Sequence, residues 1–225
     1  MGARVVVERL GRVGYERAVA YQKELVGRVS GDPAAPEYLL LLEHPPVITI
    51  GRSARDNHLL AGVEALRRKG VEVHRTTRGG DITYHGPGQL VAYPILRLDR
   101  SRSGGVRGYL RKLEEVVIEM LSAYNIEAER DARYTGVWVG GAKICALGVA
   151  VTRWVTWHGL ALNVNTDLSY FDLIVPCGIR GRGVTSLAKE LGRTADFEEA
   201  QDRLEEAFGK VMARELVRAG EKGQG

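Results

Sequence analysis

The sequence predicts an α/β (α+β) fold built on a mixed, largely antiparallel sheet with flanking helices. Helical and strand patterns are interspersed along the chain, and strands cluster in pairs with no helix between them. A doubly wound parallel sheet would need a crossover helix between successive strands, and these paired strands have none. The composition, 44% hydrophobic and 27% charged, is that of an ordinary globular protein.

The first half of the chain is predicted to contain two helices and several strands. Apolar residues follow helical spacing from Tyr15 to Val29, and the GDPAAP loop ends that helix because two prolines cannot continue it. Continuous apolar runs bounded by turn residues are typical of buried strands. The predicted strands are residues 4–10, 38–44, 47–51 and 71–76, and residues 63–70 form a short helix.

The second half begins with a predicted strand at residues 89–98. Pro94 predicts an edge position or a bulge there, because proline cannot donate to a sheet ladder. The clearest helix of the chain follows from Val106 to Leu121, with apolar residues on one face and charges on the other. The last elements are three β-rich stretches, residues 134–140, 143–153 and 155–164, and a helical pattern over Phe197–Leu216.

No internal repeat and no linker divides the chain. We therefore expect one catalytic domain over residues 1–225, with residues 220–225 a frayed tail and the last helix at most a small lobe. The sequence has no secretory signal and no apolar stretch of membrane-spanning length. A cytoplasmic location with free thiols on its two cysteines is the expectation.

The net charge of +4 favours an acidic partner only weakly, because the basic residues are spread along the chain with no long run of like charges. A nucleic-acid binder and an enzyme with acidic partners both show this balance. The charge therefore does not choose between the two classes.

The segment Arg78–Gln89 (RGGDITYHGPGQ) combines glycine with many polar groups. Five of its twelve residues are Gly or Pro, and glycine lets the backbone approach a ligand closely. It matches neither a Walker A loop nor the dinucleotide GxGxxG pattern. A tight hairpin explains the same glycines, so a ligand loop and a hairpin both remain open.

Lys143 and Cys177 are the two candidate reactive side chains. Lys143 follows a glycine pair in an otherwise apolar strand, where a lysine either snorkels to an edge or is partly buried and able to exchange a proton. Cys177 lies between Pro176 and Gly178, so its thiol can project from a turn as a nucleophile. Cys145 lies inside a strand, where core packing is expected.

The sequence contains no other recognisable catalytic or metal-binding pattern. The five histidines have no metal-ligand spacing, so no metal site and no cofactor is expected. A serine nucleophile elbow is also missing. Trp154, Trp157 and Phe171 are explained by packing in the strand core more simply than by nucleic-acid stacking.

Five segments together carry a family resemblance. They are HPPVITIGR, RGGDITYHGPGQLVAYPI, GAKICALGVAV, HGLALNVNTDL and VPCGI. The match covers most of the chain, with these segments in the family's order and spacing, and several long ordered motifs are far more specific than one glycine signature. The chain resembles the lipoyl(octanoyl) transferases, the octanoyl-[acyl-carrier-protein]:protein N-octanoyltransferases that make protein-bound lipoyl groups.

The resemblance implies a fold shared with biotin protein ligases and lipoate ligases. It assigns the nucleophile to Cys177 and the catalytic lysine to Lys143. It also implies an acyl-substrate pocket in which Ala146 stands where some members carry serine, and it carries no role to residues 130–135. The implied pocket residues are Arg78, Gly79, Gly80, Asp81, Ile82, Thr83, Tyr84, His85, Ala146, Leu147, Gly148, Gly159, Leu160 and Ala161.

The implied reaction moves an octanoyl group from acyl carrier protein to a lysine of a lipoyl domain, the first step of protein lipoylation. The partners that the resemblance implies are octanoyl-acyl carrier protein, the lipoyl domains of 2-oxoacid dehydrogenase E2 subunits and the glycine cleavage H protein. Neither nucleic acid nor a membrane is implied, and a monomer is expected. Ile82, Leu147 and Leu160 are candidates for lining the tunnel that an octanoyl chain needs.

Two other functions remain open from the sequence. An ATP-dependent lipoate ligase on the same fold would form an acyl-adenylate and would not require a cysteine, so the PCG setting of Cys177 favours the transferase. A non-catalytic carrier-binding or nucleic-acid-binding module would form no covalent acyl-enzyme.

Overall fold

Two β-sheets form the framework of the chain in the computed structural model, which describes residues 4–54, 58–98, 104–175 and 182–220. The strands are β1 (Arg4–Arg12), β2 (Glu37–Glu43), β3 (Val47–Ile50), β4 (Glu72–Arg75), β5 (Ile82–His85), β6 (Gln89–Ile95), β7 (Glu129–Arg130), β8 (Val137–Val139), β9 (Ala142–Thr152), β10 (Val155–Asn163) and β11 (Glu215–Arg218). The helices are α1 (Tyr15–Gly31), α2 (Val63–Arg68), α3 (Gly105–Ser122), α4 (Leu187–Leu191) and α5 (Phe197–Met212), with a 3-10 helix at Leu168–Leu173. Within those ranges, no helix is long and apolar enough to cross a membrane.

The larger sheet has the strand order β11-β1-β2-β6-β10-β9-β8-β7. β1 pairs in parallel with β2 and β11, and the other neighbouring strands are antiparallel. The smaller sheet has the order β4-β3-β5, in which β3 is parallel to β4 and antiparallel to β5. This arrangement confirms the predicted mixed, largely antiparallel sheet.

Both faces of the larger sheet are covered by helices. Along β2, Leu39 and Leu41 join the core under α3 and α5, whereas Leu40 and Leu42 join the core under α1. Successive side chains of a strand point to opposite faces, so a strand covered on both sides must be apolar throughout. That requirement explains the continuous run YLLLL.

Pro94 lies in the centre of the larger sheet, and the prediction of an edge or a bulge at Pro94 was wrong. β6 is fully buried between β2 and β10. Side chains bond the backbone groups where the ladder between β6 and β10 is interrupted: the Thr156 hydroxyl donates to the Pro94 carbonyl (2.8 Å), and the backbone N–H of His158 donates to Gln22 Oε1 (2.7 Å). Gly159 makes room for the ring, since a Cβ there would lie 2.7 Å from Pro94 Cδ.

The C-terminal helix is shorter than predicted. α5 ends at Met212 because Ala213 adopts a left-handed φ of 52°, and the chain then forms β11 beside β1 instead of continuing helically to Leu216. α5 packs on α3 and on the main core, with Leu204 and Phe208 buried there, so it is not a separate lobe.

Candidate active site

A cleft opens where the loop before β5 crosses β9 and β10. It holds about 470 Å³ of empty space, part of it open to solvent. Twelve of the fourteen predicted pocket residues line it: Arg78, Gly80, Asp81, Ile82, Thr83, His85, Ala146, Leu147, Gly148, Gly159, Leu160 and Ala161. Three segments that are far apart in sequence therefore meet at one place.

Glycines allow the loop to lie directly on the strands. The Gly79 N–H donates to the Val149 carbonyl at 2.8 Å. A Cβ at Gly148 would lie 2.8 Å from the Gly79 carbonyl oxygen and 3.1 Å from Arg78 Cδ, closer than real side chains approach. Gly148 of β9 is thus required for this close packing.

Arg78 fixes the loop to β3. Its side chain is buried, and its guanidinium donates to the Thr49 hydroxyl (3.1 Å from Nε) and to the Thr49 carbonyl (2.7 Å from Nη2). A third bond goes from Nη1 to the Gly79 carbonyl at 3.0 Å. The planar fork of arginine suits such multiple bonding, and it places a positive charge in the wall of the cleft.

Two of the predicted pocket residues, Gly79 and Tyr84, do not line the cleft. Side chains alternate along β5, so the Tyr84 side chain lies on the opposite face of the strand from Thr83 and His85. Its ring stacks on Tyr170, with ring centroids 4.8 Å apart. Its hydroxyl group is not available to a ligand in the cleft. Gly79 contributes backbone packing behind the loop.

Three residues that the sequence analysis did not assign also line the cleft: Tyr15, Tyr93 and His158. Burial and then the charge of Arg78 lower the pKa of His158 to about 3, so its ring is neutral. Burial likewise lowers the pKa of His85 well below its ordinary value. Gln89 Oε1 lies 2.8 Å from His85 Nδ1. Both rings are therefore uncharged where they line the cleft.

Asp81 connects the cleft to the chain that precedes Cys177. Asp81 Oδ2 is 2.7 Å from His58 Nδ1, and the carbonyl of His58 accepts from the N–H of Val175 at 2.7 Å. The loop of the cleft and the end of the described segment before Cys177 are therefore held together through His58.

Lys143 is buried, with 6% of its surface exposed, so it does not snorkel to an edge. Its Nζ donates to the Thr135 carbonyl at 3.1 Å and lies 4.7 Å from the centre of the Trp138 ring. Gly136 makes room for it, since a Cβ there would lie 3.0 Å from Lys143 Cε. Thr135, at the end of the stretch 130–135 to which the resemblance assigned no role, thus contacts the candidate catalytic lysine.

A small cavity next to the cleft is lined by Lys143. It shares Thr83, Ala146 and Ala161 with the cleft, and its other lining residues are Gln89, Lys143, Asn163, Phe171 and Val184. The predicted pocket and Lys143 are therefore neighbours in the structure.

Cys177 itself lies outside the described residues. The chain on both sides of it borders the small cavity, because Phe171 and Val184 both line it. Val184 forms a bridge with Lys143, flanked by backbone bonds from Lys143 N–H to Gly183 and from Thr185 N–H to the Lys143 carbonyl, each 3.0 Å.

Cys145 is a core residue, as predicted. It is fully buried in β9, and burial raises the pKa of its thiol above the ordinary value. A thiol that stays protonated is a poor nucleophile.

Comparison with known proteins identifies the class of the chain. Residues 14–209 match the model of the lipoyl protein ligase A/B catalytic domain, so the chain belongs to this family. An octanoyltransferase of Rubrobacter xylanophilus is 54% identical over 92% of this chain and 93% of its own length. An octanoyltransferase of Solibacter usitatus is 49% identical over 94% of both chains. The predicted family is confirmed.

Solved structures show the same fold at low sequence identity. Lipoate-protein ligase A bound with ATP superimposes with a TM-score of 0.76 at 17% identity, over 99% of this chain and 90% of that one. The biotin protein ligase of Aquifex aeolicus gives 0.51 at 12% identity, over 95% and 70%. The predicted ligase-like fold is confirmed.

Proposed function

We propose that the chain transfers an octanoyl group from an acyl carrier protein to a lysine of a lipoyl domain, through a thioester on Cys177 and with Lys143 moving the proton. The observation that carries this proposal is the small cavity behind the cleft. Lys143 lines it, and so do Phe171 and Val184, which lie on either side of Cys177 in sequence. The octanoyltransferase relatives support the choice of acyl group.

In the first half-reaction, the Cys177 thiolate attacks the carbonyl carbon of the octanoyl thioester. The bond from that carbon to the carrier sulfur breaks, and the leaving thiolate takes a proton from the Lys143 ammonium. Before the attack, the nearby ammonium favours the ionised form of the cysteine. The products are octanoyl-Cys177, a neutral Lys143 and the free carrier thiol.

In the second half-reaction, the neutral amine of the lipoyl-domain lysine attacks the thioester. An amide bond forms, the Cys177 thiolate leaves, and the proton released by the attacking nitrogen passes to Lys143. The Thr135 carbonyl and the Trp138 ring hold Nζ in place for both transfers. The enzyme returns to its starting state, which predicts ping-pong kinetics.

The cleft provides the binding site for the acyl chain in this proposal. Ile82, Leu147 and Leu160 line it with apolar side chains, and the neutral His85 and His158 add no charge that an alkyl chain would desolvate.

ATP dependence tests the proposal against the ligase alternative. With octanoyl-carrier protein as donor and a lipoyl domain as acceptor, we expect full transfer without ATP or Mg²⁺ and no gain when they are added. Strict dependence on ATP, with free octanoate as the substrate, would establish the ligase instead. Mass spectrometry of the lipoyl domain measures the transferred group directly.

A further inference from the structure

An open groove lies on the surface beside Lys143, between residues 106–114 of α3 and residues 131–135; we call it the arginine groove. It is separate from the acyl cleft and shares no lining residue with it. The reaction proposed above uses only one of its groups, the Thr135 carbonyl.

The groove extends to the candidate catalytic lysine. Thr135 is exposed, yet its carbonyl accepts from Lys143 Nζ at 3.1 Å. The Trp138 ring has Lys143 Nζ 4.7 Å from its centre and the Arg182 guanidinium carbon 4.9 Å from it. Arg182 also lies 6.0 Å from the centre of the Tyr134 ring in the groove. One end of the groove therefore lies beside Lys143, and the rest extends away from it along α3.

Positive charge is in excess around the groove. Five arginines line or border it, and the three nearby carboxylates each pair with at least one of them: Glu114 with Arg111 and Arg130, Glu115 with Arg130, and Asp131 with Arg182. Arg107 and Arg133 are exposed, and within the described ranges no carboxylate lies within 4.0 Å of either. Two guanidinium groups therefore remain to bind carboxylates of another molecule.

The same groove exposes apolar and aromatic surface. Val106 is 40% exposed and Tyr134 is 37% exposed, and both line the groove between the arginines. Arginine and tyrosine are enriched at protein–protein interfaces, where an apolar centre is surrounded by a charged rim. The composition fits a protein partner with an acidic face.

We propose that the arginine groove is the docking surface for an acidic face of the carrier protein that delivers the octanoyl thioester. The proposal rests on the function proposed above and adds the surface at which the donor binds. Charge complementarity of this kind directs the encounter of two proteins and speeds their association.

The distance between the arginine groove and Lys143 favours the carrier protein, rather than the lipoyl domain, as the protein that docks in the groove. Arg107 precedes Glu114 by seven residues of α3, about 10 Å along the helix axis, and Glu114 accepts from the Gly136 N–H (3.1 Å) close to Lys143. A carrier protein presents its thioester on a long flexible arm and can dock at this distance. The acceptor presents only a lysine side chain, so its backbone must come to the mouth of the site itself.

The test reverses the two exposed charges, in an Arg107→Glu/Arg133→Glu variant. We expect the KM for octanoyl-carrier protein to rise about tenfold or more with little change in kcat, because charge reversal at an interface mainly weakens the encounter. The acylation rate with an octanoyl thioester of N-acetylcysteamine should be unchanged, since this small donor has no protein to dock. An unchanged melting temperature checks that the fold is intact.

The matched control is Arg67→Glu/Arg68→Glu, which makes the same change of charge on the exposed face of α2 and should leave the KM for the carrier unchanged. Equal KM values for the groove variant and wild type would overturn the docking surface. So would a groove variant that is acylated normally by the carrier but is slow to pass the octanoyl group to the lipoyl domain. A wild type that forms no acyl-enzyme from either donor would instead contradict the proposed function itself.

Discussion

At the scale of single residues, the structure shows which contacts bury Lys143. The sequence left open whether it is buried, because an apolar strand is compatible with both conformations. Burial is decided by contacts from elsewhere in the chain: the Thr135 carbonyl, the Trp138 ring and the space left by Gly136. These groups hold Nζ in one position, as a proton-transferring group requires.

Replacing Lys143 with methionine should slow both half-reactions while preserving the fold, because methionine fills similar space without a transferable proton. Loss of a positioned acid–base group typically costs about 10²–10⁴-fold in rate. Single-turnover measurements of acylation and of transfer give the two rates separately. If both rates stayed near wild type, the proton role of Lys143 would be wrong.

At the scale of elements, the cleft depends on the close contact between the RGG loop and the paired strands β9 and β10. In the register of this pair, Gly148 lies opposite Gly159 and Ala146 opposite Ala161, so small residues stand together where the loop and β6 approach. Gly148 thus leaves room for the RGG loop, and Gly159 leaves room for β6.

A pair of glycine-to-alanine variants tests this contact. Gly148→Ala should lower stability by about 1–3 kcal/mol, as overpacking does, and reduce acylation, because its Cβ would push against the Gly79 carbonyl and Arg78. Gly27→Ala is the control: it lies in α1 with nothing within 4 Å of the added Cβ, and it should raise stability by about 0.5–1 kcal/mol. Urea denaturation measures both changes. A Gly148→Ala enzyme as stable and active as wild type would contradict the close contact.

At the scale of the whole molecule, local patterns predict most elements of the fold and distant contacts explain the errors. The amphipathic spacing of α3 and the apolar run of β2 are encoded in adjacent residues. The central position of Pro94 depends on Gln22 and Thr156, which lie 72 and 62 positions away, and the strand β11 depends on pairing with β1 at the other end of the chain.

In the candidate site too, local sequence patterns predict some residues, and others are found only from contacts between distant parts of the chain. The motifs identified the three segments of the cleft because their glycines and polar groups are contiguous in sequence. Tyr15 and Tyr93 belong to an ordinary helix and an ordinary strand, and only the fold brings them to the cleft. His158 is the first residue of the HGLALNVNTDL motif, and its position before Gly159 was the one available signal.

The central claim is a covalent octanoyl-enzyme on Cys177, and intact mass spectrometry after mixing with octanoyl-carrier protein tests it most directly. We expect the mass of one octanoyl group on the wild type and on Cys145→Ala, because Cys145 is buried, and no adduct on Cys177→Ala. An adduct that persists in Cys177→Ala, or one that is lost in Cys145→Ala, would contradict the account.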